Sequence, residues 1–157
     1  MNNILHEIIV DPDFEEGLAW RRFPFYEQQL IVKEGEMGQS LFLVEEGSLR
    51  VSGSIAIDEK RIQSGFCDLN PGDIFGEICL LEFLPRIATV TALTGGHAIE
   101  VNGRMLNAYF EKNPEPGYRF YKQLFTIFIE RINRANQRVE NLLAWGLKAH
   151  GIDQHLQ

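Results

Sequence analysis

The chain has 157 residues and a mass of 18.0 kDa, the size of one domain with its own hydrophobic core. Lys and Arg total 15 against 22 Asp and Glu, so the formal net charge is −7. That balance argues against broad contact with nucleic acid or with an anionic membrane, both of which bind basic surfaces. A single arginine in a pocket can still attract a small anion.

The cysteines, histidines and N-terminus exclude several further classes. Two cysteines and four scattered histidines form neither a disulfide framework nor a metal-ligand cluster. The N-terminus lacks the pattern of a signal peptide, and no apolar run approaches the ~20 residues of a membrane helix. We therefore expect a cytoplasmic protein with no metal, no membrane contact and no nucleic-acid partner.

The chain divides into three stretches by its pattern. Residues 1–29 are predicted to be an N-terminal helical segment, with a short helix over 14–20 that ends before Pro24. Residues 30–101 contain about eight short apolar runs separated by glycine turns, which predicts a β-roll. Residues 102–157 are predicted to be C-terminal helices. The fold class is therefore mainly β with flanking helices: an eight-stranded β jelly roll in a single domain, followed by a long C-terminal helix.

The long C-terminal helix carries an apolar seam. Asn113 and Pro114 are typical of a helix start, and no proline follows Pro116. The seam recurs at alternating spacings of three and four residues, at Phe125, Phe128, Ile132, Ala135, Val139, Leu142, Gly146 and Ala149. This spacing is typical of paired helices and predicts a homodimer through this helix. The alternative is a helix that packs only on its own β-roll.

Residues 70–92 hold the residues most suited to binding a ligand. Gly76 and Glu77 follow a turn and precede a short helical run, whose first backbone amides would attract an anion. Arg86 follows Pro85, and a guanidinium can form paired charge-assisted hydrogen bonds with a phosphate. A neighbouring carboxylate can accept a hydrogen bond from a sugar hydroxyl. The alternative is a structural ion pair between Glu77 and Arg86.

The run FGEICLLEFLPRIATVTA resembles the phosphate-binding cassette of cyclic-nucleotide-binding domains. Such domains occur in the catabolite-activator family of bacterial regulators, in regulatory subunits of cyclic-AMP-dependent kinase and in cyclic-nucleotide-gated channels. The upstream runs IVKEGEMGQSLFLVEEGSLRV and LNPGDIFGE are similar to the family's first strands and to its turn into the cassette. The resemblance extends over roughly residues 20–145.

The resemblance implies a role for individual residues. Glu77 would bind the ribose 2′-hydroxyl, Arg86 the phosphate oxygens, and Gly76 would admit the ribose. The backbone amides of four residues would add phosphate contacts: Ile78, Cys79, Ile87 and Ala88. The base pocket would include Val51 and Phe66 from the β-roll, with further contacts from the final helix at Asn133, Asn136 or Gln137 and stacking on Trp145.

Two departures from the family pattern shape the functional hypothesis. Ile87 stands where family members often carry Ala, Ser or Thr, and it offers no hydroxyl to guanine. This favours cyclic AMP over cyclic GMP, and a bulky residue there is expected to crowd the pocket mouth. The sequence also ends after the long helix, so we expect no helix-turn-helix and no DNA output.

The sequence thus predicts a stand-alone sensor domain that binds cyclic AMP and signals through its C-terminal helix to an unidentified partner protein. The alternative is a degenerate, ligand-free domain that acts as a dimerisation and protein-interaction module. An enzyme on a jelly roll would need clustered metal ligands, and His97 is the one histidine in the strand region. We therefore expect no enzymatic activity.

Overall fold

The computed structural model describes residues 3–57, 60–80 and 82–151, and it leaves out the side chains of residues 55–57, 60–64 and 79. It divides into two compact units, residues 1–117 and residues 118–157. The first unit holds the strands, and the second consists of most of the last helix. Each is considered by itself below.

Two antiparallel sheets of four strands each form the first unit. In chain order, the described strands are β1 Trp20–Phe25, β2 Leu30–Val32, β3 Met37–Gly38, β4 Ser40–Glu46, β5 Leu49–Ile57, β6 Lys60–Leu69, β7 Ile74–Phe75, β8 Leu84–Pro85, β9 Thr89–Ala92 and β10 Gly96–Asn102. One sheet has the order β1-β10-β4-β7, and the other has the order β2-β9-β5-β6. A further pair of two-residue strands, β3 and β8, stands apart from both sheets.

The core lies between these sheets, and every one of their eight strands contributes to it. Alternation along a strand sends every second side chain inward, as at Phe42 and Val44 on β4 and at Val90 and Ala92 on β9. The full cluster is Phe25, Val32, Phe42, Val44, Leu49, Leu69, Phe75, Val90, Ala92 and Ala98. The predicted eight-stranded β-roll is confirmed, with β3 and β8 as additional short strands.

The N-terminal segment differs from its prediction. The helix, α1, lies at Ile4–Ile8, whereas residues 14–19 form turns and Trp20–Phe25 is a strand. The Asn3 side chain caps α1 by accepting a hydrogen bond from the Leu5 amide. β1 pairs with β10 alone and so forms an edge of its sheet. Proline has no backbone N–H to donate, and on the outer side of an edge strand no neighbouring strand requires that hydrogen bond. Pro24 therefore ends no helix, and the sheet starts before residue 30.

Two helices follow the strands. α2 spans Gly103–Lys112 and begins at Asn102, whose side chain accepts from the Met105 amide. α3 spans Pro114–Ala149, as the proline pattern predicts. The Asn113 side chain donates to the Tyr109 carbonyl and thus serves the end of α2, rather than the start of α3 as the sequence suggests. No described helix is long and apolar enough to span a bilayer.

A partly buried ion pair joins β1 to β4. Arg22 donates to both carboxylate oxygens of Glu45, with Nη2 2.9 Å from Oε1. His97 approaches the same carboxylate at 3.5 Å and His6 at 3.8 Å. The hydrogen bond from Arg22 lowers the pKa of Glu45 below its usual 4.5, against the opposing effect of burial. The ionised form of Glu45 therefore stabilises the fold above about pH 4.5 and ceases to do so as the pH falls below that value.

We predict that Glu45→Gln lowers the free energy of unfolding by about 1 kcal/mol at pH 7, because the substitution removes the charged partner of Arg22. The difference from wild type should shrink as the pH falls below 4.5, because wild-type Glu45 then also takes up a proton. Urea unfolding at several pH values measures this difference in the free energy of unfolding. Glu111→Gln, at an exposed position of α2, is the control. A difference that stays constant with pH would show that the stabilisation does not come from the ionised Glu45 carboxylate.

Candidate anion-binding site

The candidate site begins at a sharp turn between β7 and a 3-10 helix at Glu77–Cys79. Gly76 forms this turn in the left-handed region, with φ at +79°. A Cβ at Gly76 would lie 2.8 Å from Arg86 Nη1 and 2.9 Å from the Ser40 carbonyl oxygen. Gly76 is thus required both by its backbone conformation and by the close approach of Arg86.

Arg86 is fixed by backbone hydrogen bonds on both sides. Its amide donates to the Glu36 carbonyl at 2.8 Å, and its carbonyl accepts from the Gly35 amide at 2.8 Å. These bonds continue the β3–β8 pairing, in which Met37 lies opposite Pro85. The residue therefore enters the site from a paired segment rather than from a free loop.

The Arg86 guanidinium is buried and is held by carbonyl oxygens. The residue is 9% exposed, and its Nη1 lies 2.8 Å from the Ser40 oxygen and 3.4 Å from the Gly76 oxygen. Within the described residues, its acceptors are thus backbone oxygens rather than a carboxylate. A buried cation that is bonded only to neutral groups retains its full positive charge, which an anion can neutralise.

The opposite edge of the guanidinium has no hydrogen-bond acceptor among the described residues. Nε and Nη2 of Arg86 donate no hydrogen bond to any of them. Two parallel N–H groups at one edge match the spacing of two oxygens on a phosphate.

The other predicted cassette residues differ in their exposure. Glu77 opens the 3-10 helix and is buried, at 8% exposure, whereas Ile78 beside it is exposed. Cys79 belongs to the same helix, and its side chain lies outside the described residues. Ile87 is 66% exposed, so its side chain extends to solvent, and Ala88 is half-buried just before β9.

The two predicted base-pocket residues of the β-roll lie on adjacent strands. Val51 on β5 is half-buried and packs against the core cluster. Phe66 on β6 lies at an irregularity, because Val51 pairs with Cys67 while Ser52 pairs with Gly65. Its ring rests over Gly53, which has no side chain to displace it, and is 42% exposed. The structure thus brings these two residues close to one another.

The predicted contacts from the final helix all lie in the second unit. Asn133, Asn136, Gln137 and Trp145 are exposed on α3, and Trp145 is 71% exposed. Contact between these residues and a base stays a prediction.

Three residues near Arg86 were not identified from the sequence. Ser40 contributes its backbone carbonyl, which every residue has, so the identity of its side chain does not predict this contact. Gly38 lies so close to the guanidinium that a Cβ there would be 2.5 Å from Nε. Phe42 places its ring 5.6 Å from the guanidinium carbon. Gly38 lies within the upstream run that resembles the family's first strands, but the sequence does not show that it contacts Arg86.

We predict that Gly76→Ala destabilises the protein more than Gly72→Ala does. Both glycines have positive φ, but a Cβ at Gly72 would meet nothing within 4 Å. Gly72→Ala should therefore cost about 1 kcal/mol through backbone strain alone, and Gly76→Ala should cost roughly 1–3 kcal/mol more through displacement of Arg86 and Ser40. Equal losses in chemical unfolding would show that Arg86 is not packed against Gly76.

The described residues provide Arg86, rather than a metal-binding cluster, as the source of positive charge at this site. Within the described residues, no three His, Cys, Asp or Glu side chains are grouped so as to hold a metal ion. The charge available to a ligand at this place is that of Arg86, with the Glu77 carboxylate nearby in sequence. This combination suits a ligand that carries both an anionic group and a hydroxyl group.

Comparisons with known proteins show the family to which the chain belongs. A cAMP-dependent protein kinase regulatory subunit of Debaryomyces hansenii is 44% identical over 69 residues, which are 44% of this chain and 14% of that protein. A CRP-like cAMP-activated global transcriptional regulator of Mycobacterium tuberculosis is 24% identical over 127 residues, which are 81% of this chain and 54% of that protein. The chain thus spans about half or less of the length of these relatives.

A solved cyclic nucleotide-binding domain from Methylobacillus flagellatus shares the fold, with a TM-score of 0.70 at 19% identity over 78% of this chain and 67% of that chain. The family model of the cyclic nucleotide-binding domain matches residues 22–113, which is more than half of the chain and includes both Glu77 and Arg86. The chain therefore belongs to the cyclic nucleotide-binding domain family, as the cassette resemblance predicts.

Proposed function

We propose that this regulatory domain binds cyclic AMP at the edge of Arg86 and that Glu77 binds the ribose. The observation that carries the proposal is the buried guanidinium, which is held by two carbonyls at Nη1 and has no described acceptor at Nε and Nη2. The cyclic phosphate would accept from Nε and Nη2, and the 2′-hydroxyl would donate to the Glu77 carboxylate. The role proposed is binding, without catalysis.

Two observations support selectivity for cyclic AMP over cyclic GMP. The similar kinase subunit and transcriptional regulator are both described by their dependence on or activation by cAMP. The side chain of Ile87 has no hydroxyl and extends to solvent, so it provides no donor for guanine. We therefore propose weaker binding of cyclic GMP. A cytoplasmic setting fits this role, because the chain lacks the cysteine pattern of a disulfide framework.

We predict that wild-type protein binds cyclic AMP in isothermal titration calorimetry and that Arg86→Ala weakens binding roughly 100-fold, because two charge-assisted hydrogen bonds are lost. Glu77→Gln should weaken binding roughly tenfold, since the amide is a poorer acceptor for the hydroxyl than the carboxylate is. Arg50→Ala is the matched control, because Arg50 is an exposed arginine paired with Asp68 on the neighbouring strand.

Two outcomes would contradict the ligand assignment. One is the absence of heat for either cyclic nucleotide at millimolar concentration, with the protein folded by circular dichroism. The other is equal binding by wild type and Arg86→Ala. The first would favour the alternative, a ligand-free dimerisation and interaction module, for which the exposed apolar residues of α3 are the supporting observation.

We also propose that the domain is a homodimer through α3 and that it signals to a partner protein through this helix. Most of the large apolar side chains of its seam are exposed in the single chain, among them Phe125, Ile132, Val139 and Leu142. An apolar groove lined by Val139, Leu142, Leu143, Gly146, Leu147 and His150 continues this surface. A second copy would bury these groups by the alternating contacts typical of paired helices.

We predict that Leu142→Glu converts the dimer to a monomer, because it places a charge in the centre of the apolar seam. Asn141→Glu, which adds the same charge at the neighbouring position outside the seam, should remain dimeric. Analytical ultracentrifugation over a range of concentrations measures the oligomeric state of wild type and of both variants. A wild-type protein that stays monomeric at 100 μM, or a Leu142→Glu variant that stays dimeric, would refute this dimer.

A further inference from the structure

The guanidinium of Arg86 lies against an aromatic ring. Its Cζ is 5.6 Å from the centroid of Phe42, and both residues are buried, at 9% and 6% exposure. A cation near a ring face at this distance is attracted by the ring quadrupole, by about 1 kcal/mol or more when the pair is shielded from water. Phe42 thus adds a directional contact to the two carbonyl hydrogen bonds of Arg86.

Phe42 is itself held in place by two other rings. It stacks on Phe75, with centroids 4.8 Å apart and planes 12° from parallel, and the edge contact with Phe23 spans 6.0 Å. The stack follows from the sheet register, because Phe42 on β4 lies opposite Phe75 on β7. Since β4 is bonded to both β10 and β7, the ring cannot move without disturbing the sheet.

The backbone of Gly38 approaches the same guanidinium. A Cβ at Gly38 would lie 2.5 Å from Nε, 2.6 Å from Nη2 and 2.7 Å from Cζ. The guanidinium is therefore confined by Phe42, by the backbone of Gly38 and by the carbonyls that bind Nη1. These contacts restrict the directions in which the Nε and Nη2 edge can face before any ligand arrives.

We propose that Phe42 is a positioning residue for anion recognition: its ring holds the guanidinium of Arg86 in the orientation that presents Nε and Nη2 to the phosphate. This rests on the proposed function. A guanidinium that is ordered in the unliganded protein loses less conformational entropy on binding, and the ligand affinity rises accordingly. Phe42 acts through Arg86 and does not itself touch the ligand.

The positioning is tested first without a ligand, by ¹⁵N relaxation of the arginine Nε–Hε groups. Arg86→Lys identifies the signal. In wild type, the Arg86 Nε–Hε group should be as ordered as the backbone, and its proton should show the ring-current shift of Phe42. Phe42→Leu should lower the order and remove the shift, whereas Phe42→Tyr should keep both. Phe25→Leu is the control, because Phe25 belongs to the same core cluster.

The consequence for binding is tested by cyclic AMP titration of the same proteins. Phe42→Leu should weaken binding roughly fivefold, the fold-change that corresponds to about 1 kcal/mol. Phe42→Tyr and Phe25→Leu should stay within twofold of wild type. In an Arg86→Ala background, Phe42→Leu should have no further effect, since the two residues act as one unit. If Phe42→Leu does not fold, Phe42→Met removes the ring and leaves an unbranched side chain that adapts better to the gap.

Unchanged Nε–Hε order in Phe42→Leu or Phe42→Met would overturn the proposal, as would the same loss of affinity with and without Arg86. If Phe42→Leu loses that order while the wild-type protein binds neither cyclic nucleotide, the result would support the positioning by Phe42 and would count against the proposed function alone.

Discussion

The burial of one arginine side chain constrains much of the first unit. A guanidinium at 9% exposure has lost most of its hydration, so its surroundings must replace those interactions. Here the replacements are the carbonyl oxygens of Ser40 and Gly76 and the face of Phe42. None of them carries a negative charge. The direct contacts of the guanidinium are therefore all with neutral groups.

Several features of the fold serve to bring these groups together. Ser40 and Arg86 are 46 residues apart in sequence, and they meet because β3 pairs with β8 and β4 follows β3 after one residue. Gly76 reaches the guanidinium because β7 pairs with β4. The glycine turn then leads directly into the 3-10 helix that carries Glu77. The jelly roll thus places a cation and a carboxylate within a single short segment.

The sequence reveals those parts of this site that depend on local pattern. Alternating apolar residues and glycine turns predict the roll, and Gly76, Glu77 and Arg86 stand out because their side chains, or lack of one, suit a phosphate and a sugar. The role of Phe42 is invisible in the sequence, because a phenylalanine on a strand is expected to fill the core whether or not it touches Arg86. The contact of Phe42 with Arg86 becomes apparent only in the fold, where β4 pairs with β7. The strand at residues 20–25 was missed for a related reason: its proline is tolerated at a sheet edge, and edges are set by long-range pairing.

A crystal structure of the domain with cyclic AMP would test the central claim most directly. We expect two phosphate oxygens to accept hydrogen bonds from Nε and Nη2 of Arg86, with the guanidinium still on Phe42 and Nη1 still bonded to the carbonyl of Ser40. The ribose 2′-hydroxyl should lie within hydrogen-bonding distance of Glu77. A nucleotide bound elsewhere, or an Arg86 that leaves Phe42 and Ser40 to reach the phosphate, would contradict a site that is formed before the ligand binds.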